Sequence, residues 1–428
     1  MTELMIEIAA VWLAAILAGV PLFAAMGLAA FAFVLLGGLS PTIVPQKMAQ
    51  AMNSFPIVAA PLFILMGNIL AAARINDRIV GFASSLLGWL RGGYAHASIL
   101  ASTIFAGMVG SAVADAAGVG AVEIKSMRRV GYRPEVAASI TAAAATIGPI
   151  IPPSLPMVIY GVTADVSIGR LFMAGFIPGL LMAASLMVMV AVVAKRQGMP
   201  RHPFAGLRGI WIAFKAGFWA LLAPVILLAG LFSGYFTPTE AAAVATCYAL
   251  VLGFGIYRTL ELRMLPAILI ETAETTGIVM VLVMAAGALG WCLSISRIPQ
   301  TLAPAVVATI HDPLVFLLAC NLILLLIGCF MEVLAALLIL IPILSPAAAS
   351  FGVDPVQFGL IMILNLILGT IHPPIGVVLF VTSRIAGISF ETMSRAILPW
   401  LVPLLLVLVA ITVWPPLSLW LPRLLTGH

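Results

Sequence analysis

Two stretches of the sequence, 221 residues apart, carry the same pattern of glycines and prolines. The first, GYRPEVAASITAAAATIGPIIPPS, begins at Gly131, and the second, GVDPVQFGLIMILNLILGTIHPPI, begins at Gly352. The residues that recur, without any gap, are Gly131, Pro134, Ile140, Gly148, Ile150, Pro152 and Pro153, as Gly352, Pro355, Ile361, Gly369, Ile371, Pro373 and Pro374. Apolar composition explains some matched isoleucines but not matched glycines and doubled prolines, so the chain contains one structural unit twice.

Apolar segments long enough to cross a bilayer occupy most of the chain. The sequence is 63% hydrophobic and 8% charged, whereas a soluble domain carries about 25% charged residues. A crossing helix needs about 18 or more apolar residues, and a membrane barrel shows short alternating segments instead. We therefore predict an all-α polytopic membrane protein. The predicted segments lie near Met5–Leu36, Pro56–Ala73, Val136–Val162, Leu171–Ala194, Ile210–Tyr235, Glu240–Ile256, Gly277–Leu293, Phe358–Val381 and Ile397–Leu421.

Several other classes of protein are excluded. The formal charge of +5 does not indicate nucleic-acid binding, because the basic residues fall in short loops between apolar segments. The four cysteines have no metal-binding spacing and are interpreted as buried small hydrophobes. The N-terminus, MTELMIEIAAVW, begins with acids and does not resemble a cleaved signal peptide. No HExxH motif, facing aspartate pair or spaced Ser–His pair suggests an intramembrane enzyme, and no cofactor is implied.

Basic residues between the segments predict the orientation. If the loop with Lys125, Arg128, Arg129 and Arg133 is cytoplasmic, alternation places fifteen lysines and arginines inside and four outside, with one more within a segment. We therefore predict a cytoplasmic N-terminus and a C-terminus on the opposite side of the membrane.

The two copies of the repeat are predicted to be inverted in the membrane. The stretch before the first copy, 125–133, has four basic residues, whereas 346–354 has none and contains Asp354. By the basic-residue rule the two stretches face opposite sides. Inverted repeats with interrupted helices are typical of secondary transporters, whose binding site lies near the bilayer midplane.

Two further apolar stretches, Ala95–Val122 and Leu314–Leu344, are interpreted as re-entrant helical hairpins. A simple crossing would leave Asp115 in hydrocarbon, at a cost of at least about 2.5 kcal/mol, and would upset the predicted orientation. We expect the first hairpin to enter from the cytoplasm and turn near Gly110–Ser111. The second enters from outside and turns near Gly328–Glu332. Non-helical backbone of this kind is tolerated at membrane depth only where it is buried in protein or lines a water-filled cavity.

The doubled prolines are expected to break their helices. Proline lacks an N–H group and disfavours helical backbone before it, so carbonyls around Gly148 and Pro149 lose their helical partners. Carbonyl oxygens without a helical partner are suitable ligands for a cation such as Na⁺. A half-helix beginning near Ser154 presents N–H groups that suit a carboxylate. If the doubled proline occurred once, a packing kink would be the simpler interpretation. Two copies in register, each after a glycine-rich hairpin, favour paired binding sites instead.

The stretch SGYFTPTEAAAVA contains a helix start. Thr237 is the expected N-cap, Pro238 fits the first helical position, and Glu240 completes a capping box. The alternative, in which Glu240 is an ion ligand, has less support.

Four motifs resemble the large membrane subunit of a TRAP (tripartite ATP-independent periplasmic) transporter. They are GSAVADAAGVGAV, GYRPEVAASITAAAATIGPIIPPSLPMVIYG, YFTPTEAAAVA and HPPIGVVLFV. The resemblance covers nearly the whole chain. It implies an elevator-type secondary transporter of bacterial inner membranes, with Na⁺ coupling in most members. It also implies a small four-helix membrane subunit, here expected as a separate polypeptide, and a soluble periplasmic substrate-binding protein that delivers an organic acid.

The resemblance also implies two Na⁺ sites, formed mainly by backbone carbonyls. Residues carried over for the first site are Gly110, Ser111, Gly148, Ile151 and Pro153. Those for the second site are Gly328, Met331, Gly369, Thr370, His372 and Pro374.

The chain departs from the family pattern at two places. Val109 replaces a serine usual at the first tip, and His372 replaces a threonine usual before the second proline pair. A protonated imidazole would repel Na⁺, so the second site is either altered or proton-linked. The equally weighted alternative is that the imidazole hydrogen-bonds to a neighbour while the backbone carbonyl of His372 still binds Na⁺.

Three residues are candidates for substrate binding: Asp115, Ser154 and Arg384. Arg384 has the bidentate geometry to hold a carboxylate, or it is an ordinary cytoplasmic end charge. Asp115 either tunes the ion site or caps the second half of the hairpin.

These features together predict the organisation and function. The function expected is import of a small organic acid, driven by a Na⁺ gradient and moved by an elevator mechanism, with a stand-alone carboxylate symporter as the alternative. We predict scaffold helices and an arm at 1–92, transport-domain half 1 at 93–163, further scaffold at 164–312, transport-domain half 2 at 313–384 and a C-terminal scaffold helix at 385–428.

Overall fold

The fold is helical throughout the described part of the chain. A computed structural model describes residues 2–199, 201, 203–298 and 308–427, and these residues form helices and connecting turns with no strand. This confirms the predicted all-α class. Eight helical stretches among them are long and apolar enough to cross a membrane, so the chain is a multi-pass membrane protein. These stretches are Phe55–Ala72, Ile168–Gln197, Gly206–Phe232, Pro238–Ile256, Leu262–Ile295, Pro313–Phe330, Val333–Ser350 and Phe390–Val413.

The chain before residue 200 contains eleven α-helices in its described residues. They are α1 Thr2–Leu17, α2 Leu22–Leu36, α3 Ile43–Met52, α4 Ala59–Ala72, α5 Ile75–Leu87, α6 Gly93–Val109, α7 Ala112–Ala117, α8 Val119–Arg129, α9 Pro134–Ala145, α10 Leu155–Thr163 and α11 Ile168–Gln197. Pro21 lies between α1 and α2, as the N-cap of α2, where its missing N–H costs no helical hydrogen bond. The first apolar segment is therefore two short helices.

Nine further α-helices follow in the described residues beyond 200. They are α12 Gly206–Phe232, α13 Pro238–Leu250, α14 Leu265–Ile295, α15 Pro313–Phe330, α16 Val333–Ser350, α17 Pro355–Gly369, α18 Val377–Ala386, α19 Phe390–Val413 and α20 Pro416–Thr426. Short 3₁₀ turns at Phe55–Val58 and Leu262–Met264 precede α4 and α14, and a π-helical stretch, Val251–Ile256, continues α13. Three of the predicted domain boundaries coincide with helix ends, and the fourth, 384/385, falls inside α18.

Basic residues that the sequence suggested were in loops lie partly in helices. Lys125, Arg128 and Arg129 belong to α8, and Arg78 belongs to α5. The arginines at the end of α8 face the negative end of the helix dipole, which stabilises the helix terminus. The Arg78 guanidinium lies 4.0 Å from the centre of the Tyr257 ring. These charges therefore serve local structure whatever side of the membrane they face.

Two helix pairs are joined by tight turns at the positions predicted for the hairpin tips, and the re-entrant path of these hairpins stays a prediction. In the first, α6 ends at Val109, Gly110 takes the left-handed conformation (φ +63°), and extended Ser111 caps α7. In the second, α15 ends at Phe330, and the Glu332 carboxylate caps α16. In each hairpin the helices on either side of the turn pack against each other. The turns lie within two residues of the predicted tips.

The two doubled-proline helices are broken in the described structure. Helix α9 ends at Ala145 and α10 begins at Leu155, whereas α17 ends at Gly369 and α18 begins at Val377. The peptide bonds Pro152–Pro153 and Pro373–Pro374 are both cis. The breaks therefore occupy 146–154 and 370–376, matched in position across the repeat.

The two copies of the repeat interlock around one core. Every residue of α17 from Val356 to Gly369 is buried, as is every residue of α9 from Val136 to Ala145. Helix α10, which follows the first copy, packs on α16, which precedes the second, and α18, which follows the second copy, packs on α7, which precedes the first. The alanine-rich sequence of α9 allows this close approach, since small side chains let helices pack tightly in membranes.

Threonine hydroxyls join α13 and the segment that follows its π-helical extension to the region of α4. The Thr246 Oγ1 donates to the Leu62 carbonyl at 3.0 Å, and the Thr259 Oγ1 donates to the Ala73 carbonyl at 2.8 Å. Such inter-helical bonds contribute roughly 0.6 kcal/mol each in membranes. At the start of α13 the Thr237 N–H donates to Glu240 at 2.8 Å, and both bonds of the capping box are present. This confirms the predicted capping role of Glu240.

We predict that Gly359→Ala destabilises the protein while Gly277→Ala does not. A Cβ on Gly359 would lie 2.3 Å from the fully buried Tyr160 ring, whereas a Cβ on Gly277 has no neighbour within 4 Å. Overpacking of this kind costs about 1–3 kcal/mol. Thermal unfolding in detergent, followed by fluorescence-detected size exclusion, measures the difference. Equal midpoints for the two variants would contradict the interlocked packing.

Candidate functional site

The tip of the first hairpin contacts the first helix break directly. Gly110 is buried, and a Cβ on it would lie 3.0 Å from the Pro153 carbonyl oxygen and 3.1 Å from the Leu155 nitrogen. Its positive φ and the close backbone approach both favour glycine. The neighbouring Ser111 hydroxyl accepts a hydrogen bond from the Ala114 N–H at 3.4 Å. The structure thus brings together the tip and the end of the break that were predicted to share an ion site.

Three buried backbone oxygens at the first break have no hydrogen-bond partner among the described residues. The carbonyls of Gly148, Ile151 and Pro153 form no hydrogen bond with any residue that the structure describes. The Pro149 carbonyl, in contrast, accepts a hydrogen bond from the Ser154 hydroxyl. Neither the Gly148 nor the Pro149 carbonyl has a helical N–H partner, as expected, but the Ser154 hydroxyl replaces that partner for Pro149, which was not predicted. The serine directly after the doubled proline is the sequence feature from which this hydrogen bond could have been predicted.

The tip of the second hairpin meets the second break even more closely. A Cβ on Gly369 would lie 2.4 Å from the Gly328 carbonyl carbon, and one on Gly328 would lie 2.9 Å from the Leu366 oxygen. Two helices approach this closely only when both contact residues are very small. Both hairpins therefore contact their broken helices, the first at the end of the break (Pro153–Leu155) and the second just before it (Leu366 and Gly369).

At the second break, more of the backbone carbonyls already accept hydrogen bonds. The Gly369 carbonyl accepts from the His372 N–H, and the Thr370 carbonyl accepts from the Val378 N–H, both at 3.0 Å. The Thr370 hydroxyl donates to the Ile367 carbonyl at 2.6 Å. Among the described residues, none donates a hydrogen bond to the carbonyls of His372 and Pro374. This break thus presents fewer of its expected ligands than the first.

The side chain of His372 lies between the second hairpin and the second break. Its Nδ1 is 3.5 Å from the Cys329 sulfur and 2.5 Å from the Pro373 carbonyl oxygen. Met331, also expected at this site, donates its N–H to the Ile327 carbonyl at 3.0 Å. The arrangement corresponds to the alternative in which the imidazole bonds to neighbours and leaves its own carbonyl without a partner.

A small cavity of about 70 Å³ lies where both tips and both breaks converge. A cavity of this size holds one or two water molecules or a small ion. Ser111 and Glu332 from the two hairpins and Pro149 and Thr370 from the two breaks line it. The Glu332 Oε2 accepts from the N–H groups of Leu334 at 2.8 Å and Ala335 at 3.0 Å. One carboxylate oxygen is therefore committed to the start of α16.

A second cavity, of about 760 Å³, adjoins the hairpin tips. Ligand pockets commonly enclose about 300–1,000 Å³. Helices α4, α5 and α14 form one wall, and residues of both hairpins form the other. Its polar lining residues are Asn68, Asn76, Ser111, Glu271, Thr275 and Glu332, and no lysine or arginine lines it among the described residues. Most of these were missed from the sequence, although polar side chains inside apolar stretches such as GNIL and ETAETTG were a usable signal.

The three candidate substrate residues are separated in the structure. Ser154 is fully buried and caps α10, with its hydroxyl also accepting from the Met157 N–H at 3.3 Å. Asp115 is 1% exposed, and Arg384 is exposed in the last turn of α18. None of the three lines either of the two cavities just described. Their role in substrate binding stays a prediction.

Interrupted helices that meet two hairpin tips around central cavities define the architecture of a secondary transporter. Residues 9–417 match the family described as "Tripartite ATP-independent periplasmic transporter, DctM component". The chain therefore belongs to the TRAP transporter family, as a large permease subunit, which confirms the resemblance seen in the sequence. It is a transporter and not an enzyme, as predicted.

Relatives within this family have several substrates. The sialic acid TRAP transporter large permease protein SiaM of Vibrio cholerae is 45% identical over 97% of this chain and 98% of its own length. The permease protein SiaT of Haemophilus influenzae is 41% identical over 89% of this chain, which spans 62% of that relative. The C4-dicarboxylate permease DctM of Pseudomonas aeruginosa is 39% identical over 88% of each chain.

The fold is also similar to a solved structure. The crystal structure of the YdaH transporter of Alcanivorax borkumensis superposes with a TM-score of 0.65 at 16% identity, covering 88% of this chain and 89% of that chain. At this identity the similarity concerns the fold alone.

We predict that Gly369→Ala opens the second tip-to-break contact and exposes Cys329. The thiol is 3% exposed, and an added methyl group would collide with the Gly328 backbone. Maleimide labelling of Cys329, in a Cys247→Ser background that removes the exposed cysteine, is expected to become several-fold faster. Gly290→Ala, whose Cβ meets no neighbour within 4 Å, is the matched control. Unchanged labelling in both variants would show that the contact is loose.

Proposed function

We propose that this large permease subunit imports a small organic acid across the bacterial inner membrane, driven by a Na⁺ gradient. Its proposed partners are a small four-helix membrane subunit and a periplasmic substrate-binding protein. The hairpins and broken helices move together against the remaining helices as an elevator. The proposed orientation has the N-terminus in the cytoplasm and the C-terminus in the periplasm.

The observation that best supports the proposal is the acidic lining of the larger cavity. Its ionisable lining residues are Glu271 and Glu332, and the described part of the chain places no basic residue there. An anionic substrate beside two acidic groups is repelled unless cations bind nearby or backbone N–H groups face it. The helix starts nearby offer few such groups, because Glu332 caps the N–H groups of Leu334 and Ala335 in α16, and Ser154 accepts from the Met157 N–H in α10. Cation coupling thus supplies the positive charge that the side chains lack.

The helix breaks supply ligands suited to that cation. The carbonyls of Gly148, Ile151 and Pro153 have no hydrogen-bond partner among the described residues, and the Pro153 carbonyl lies beside Gly110 at the first tip. Broken helices in secondary transporters use such carbonyls to coordinate Na⁺. For the second site we propose the carbonyls of His372 and Pro374, with Gly328 at the tip, because the carbonyls of Gly369 and Thr370 already accept hydrogen bonds.

Sialic acid is the first substrate to test. The most similar relatives described above, SiaM and SiaT, are named for sialic acid, and a cavity of about 760 Å³ has the volume for a sugar acid. Other relatives are named for C4-dicarboxylates and for 2,3-diketo-L-gulonate. All of these substrates are organic acids. We therefore propose an organic acid as the class of substrate, and sialic acid as the first compound to test.

Uptake into proteoliposomes tests the proposal. The chain is reconstituted with its small subunit and supplied with a periplasmic binding protein loaded with radiolabelled sialic acid or a C4-dicarboxylate. We expect uptake only with an inward Na⁺ gradient and all partners present. Uptake by the chain alone would identify a stand-alone symporter instead. Uptake driven equally well by a pH gradient without Na⁺ would refute the sodium coupling.

Alanine variants of the doubled prolines test the helix breaks in the same assay. Alanine restores the missing N–H and permits helix, so Pro153→Ala and Pro374→Ala are expected to lower Na⁺-driven uptake about tenfold, equivalent to about 1.4 kcal/mol. Pro224→Ala, inside α12, is the matched control. Thermal midpoints establish that the variants are folded. Wild-type Na⁺ dependence in both variants would mean that the prolines only shape packing.

A further inference from the structure

Most polar residues of the large cavity lie on one of its two walls. This wall, here called the polar wall, belongs to helices outside the hairpins, and its polar residues are Asn68 in α4, Asn76 in α5, and Glu271 and Thr275 in α14. Glu271 and Thr275 are one helical turn apart and share one face of α14. The hairpin wall contributes Ser111 and Glu332. A substrate in this cavity therefore meets different chemistry on its two sides.

A hydrogen bond between α4 and α14 fixes the orientation of the Asn68 amide. Its Nδ2 donates to the Thr272 Oγ1 at 3.0 Å, and the Thr272 hydroxyl donates its proton to the Ile268 carbonyl at 2.7 Å. The threonine oxygen can therefore only accept from Asn68, which requires the amide nitrogen on that side. The Asn68 Oδ1 receives no hydrogen bond from any residue that the structure describes. This side chain thus offers an acceptor to a ligand.

Two further side chains of the polar wall have no protein partner. Asn76 is 8% exposed, yet its amide forms no hydrogen bond with any described residue. A buried amide without partners is costly, so a molecule in the cavity is expected to supply at least one. The Glu271 carboxylate takes part in none of the ion pairs between described residues. A carboxylate only accepts hydrogen bonds, so Glu271 requires a donor from the ligand.

The groups of the polar wall match hydroxyl groups better than a carboxylate. A hydroxyl donates to a carboxylate or amide oxygen and accepts from an amide nitrogen, so it can pair with Asn68, Asn76 or Glu271. A substrate carboxylate only accepts, and Glu271 would repel it, because no lysine, arginine or histidine is among the described residues that line the cavity. The cation sites proposed above lie at the hairpin tips. The substrate carboxylate is therefore favoured at the hairpin wall, and hydroxyl groups at the polar wall.

We propose that the polar wall binds the hydroxyl groups of a polyhydroxylated monocarboxylate, with Asn68, Asn76 and Glu271 as specificity-determining residues. This assignment rests on the proposed function and narrows its substrate class. A site built to hydrogen-bond hydroxyl groups rejects an analogue without them, because its own polar groups are then left unpaired. A second carboxylate at the polar wall is rejected by repulsion from Glu271. A sugar acid fits both conditions, whereas a simple dicarboxylate fits neither.

Protection of a reporter cysteine measures ligand binding at the polar wall without transport. Ala71→Cys, which places a thiol in the cavity lining one turn after Asn68, is made in the full-length chain with Cys247→Ser, whose other native cysteines are buried. Gluconate is compared with hexanoate, which has the same carbon-chain length and no hydroxyl groups, and with glucarate, which adds a second carboxylate. We expect gluconate and sialic acid to slow maleimide labelling several-fold in Na⁺ buffer, and hexanoate and glucarate to have little effect. Equal protection by gluconate and either analogue, or no protection by any compound, would overturn the proposal.

Variants of Glu271 test its part in this selectivity. Glu271→Ala is expected to raise the gluconate concentration for half-protection about tenfold, as for the loss of a hydrogen bond to a charged group. Glu271→Lys is expected to reverse the preference, so that glucarate protects better than gluconate. Glu274→Ala is the matched control, because Glu274 is an exposed acid on the same helix and does not line the cavity. Thermal midpoints establish that the variants are folded. An unchanged preference for gluconate in both folded Glu271 variants would contradict the assignment.

Na⁺-driven uptake with all partners present tests the proposed function separately. Uptake of an organic acid, together with equal protection by gluconate and hexanoate, would refute the role of the polar wall and leave the proposed function intact. Selective protection by gluconate without any Na⁺-driven uptake would support the role of the polar wall and refute the proposed function.

Discussion

Backbone polar groups at membrane depth need partners, and this requirement organises the structure. The doubled prolines remove helical donors in two places, which leaves carbonyls that hydrocarbon cannot satisfy. Each break is covered by a hairpin tip whose glycine, Gly110 or Gly328, allows backbone to approach backbone. The hairpins, the small residues of α9 and the interlocking of the two copies all follow from the need to enclose these groups within protein.

The two breaks solve the same problem with different chemistry. At the first, the Ser154 hydroxyl takes up one carbonyl and three others stay without a partner. At the second, internal hydrogen bonds engage two carbonyls, and His372 contacts Cys329. An inverted repeat does not require identical sites, and the asymmetry gives the two proposed ion sites different ligand sets. In the proposed function, cations at these sites balance the acidic lining of the large cavity.

The sequence was sufficient to predict the elements that local rules define. Glycine and proline positions located the tips and breaks, and the Thr237–Glu240 capping box was recognisable from four residues. Features that depend on distant contacts were not predictable. Helix α5 lies in a stretch interpreted as a basic loop, because its amphipathic face buries Ile75, Ile79 and Ala83 against the rest of the fold. The polar lining of the large cavity likewise comes from helices far apart in sequence.

Binding of radioactive ²²Na⁺ to the purified permease tests the central claim most directly. Scintillation proximity measures it without transport, partners or substrate. The account predicts saturable Na⁺ binding that is lowered in part by Gly110→Ala and in part by Gly328→Ala, since each added methyl group separates one tip from its break. Binding no greater than in choline buffer, or saturable binding unchanged in both variants, would contradict the assignment of cation sites to the tip-to-break contacts.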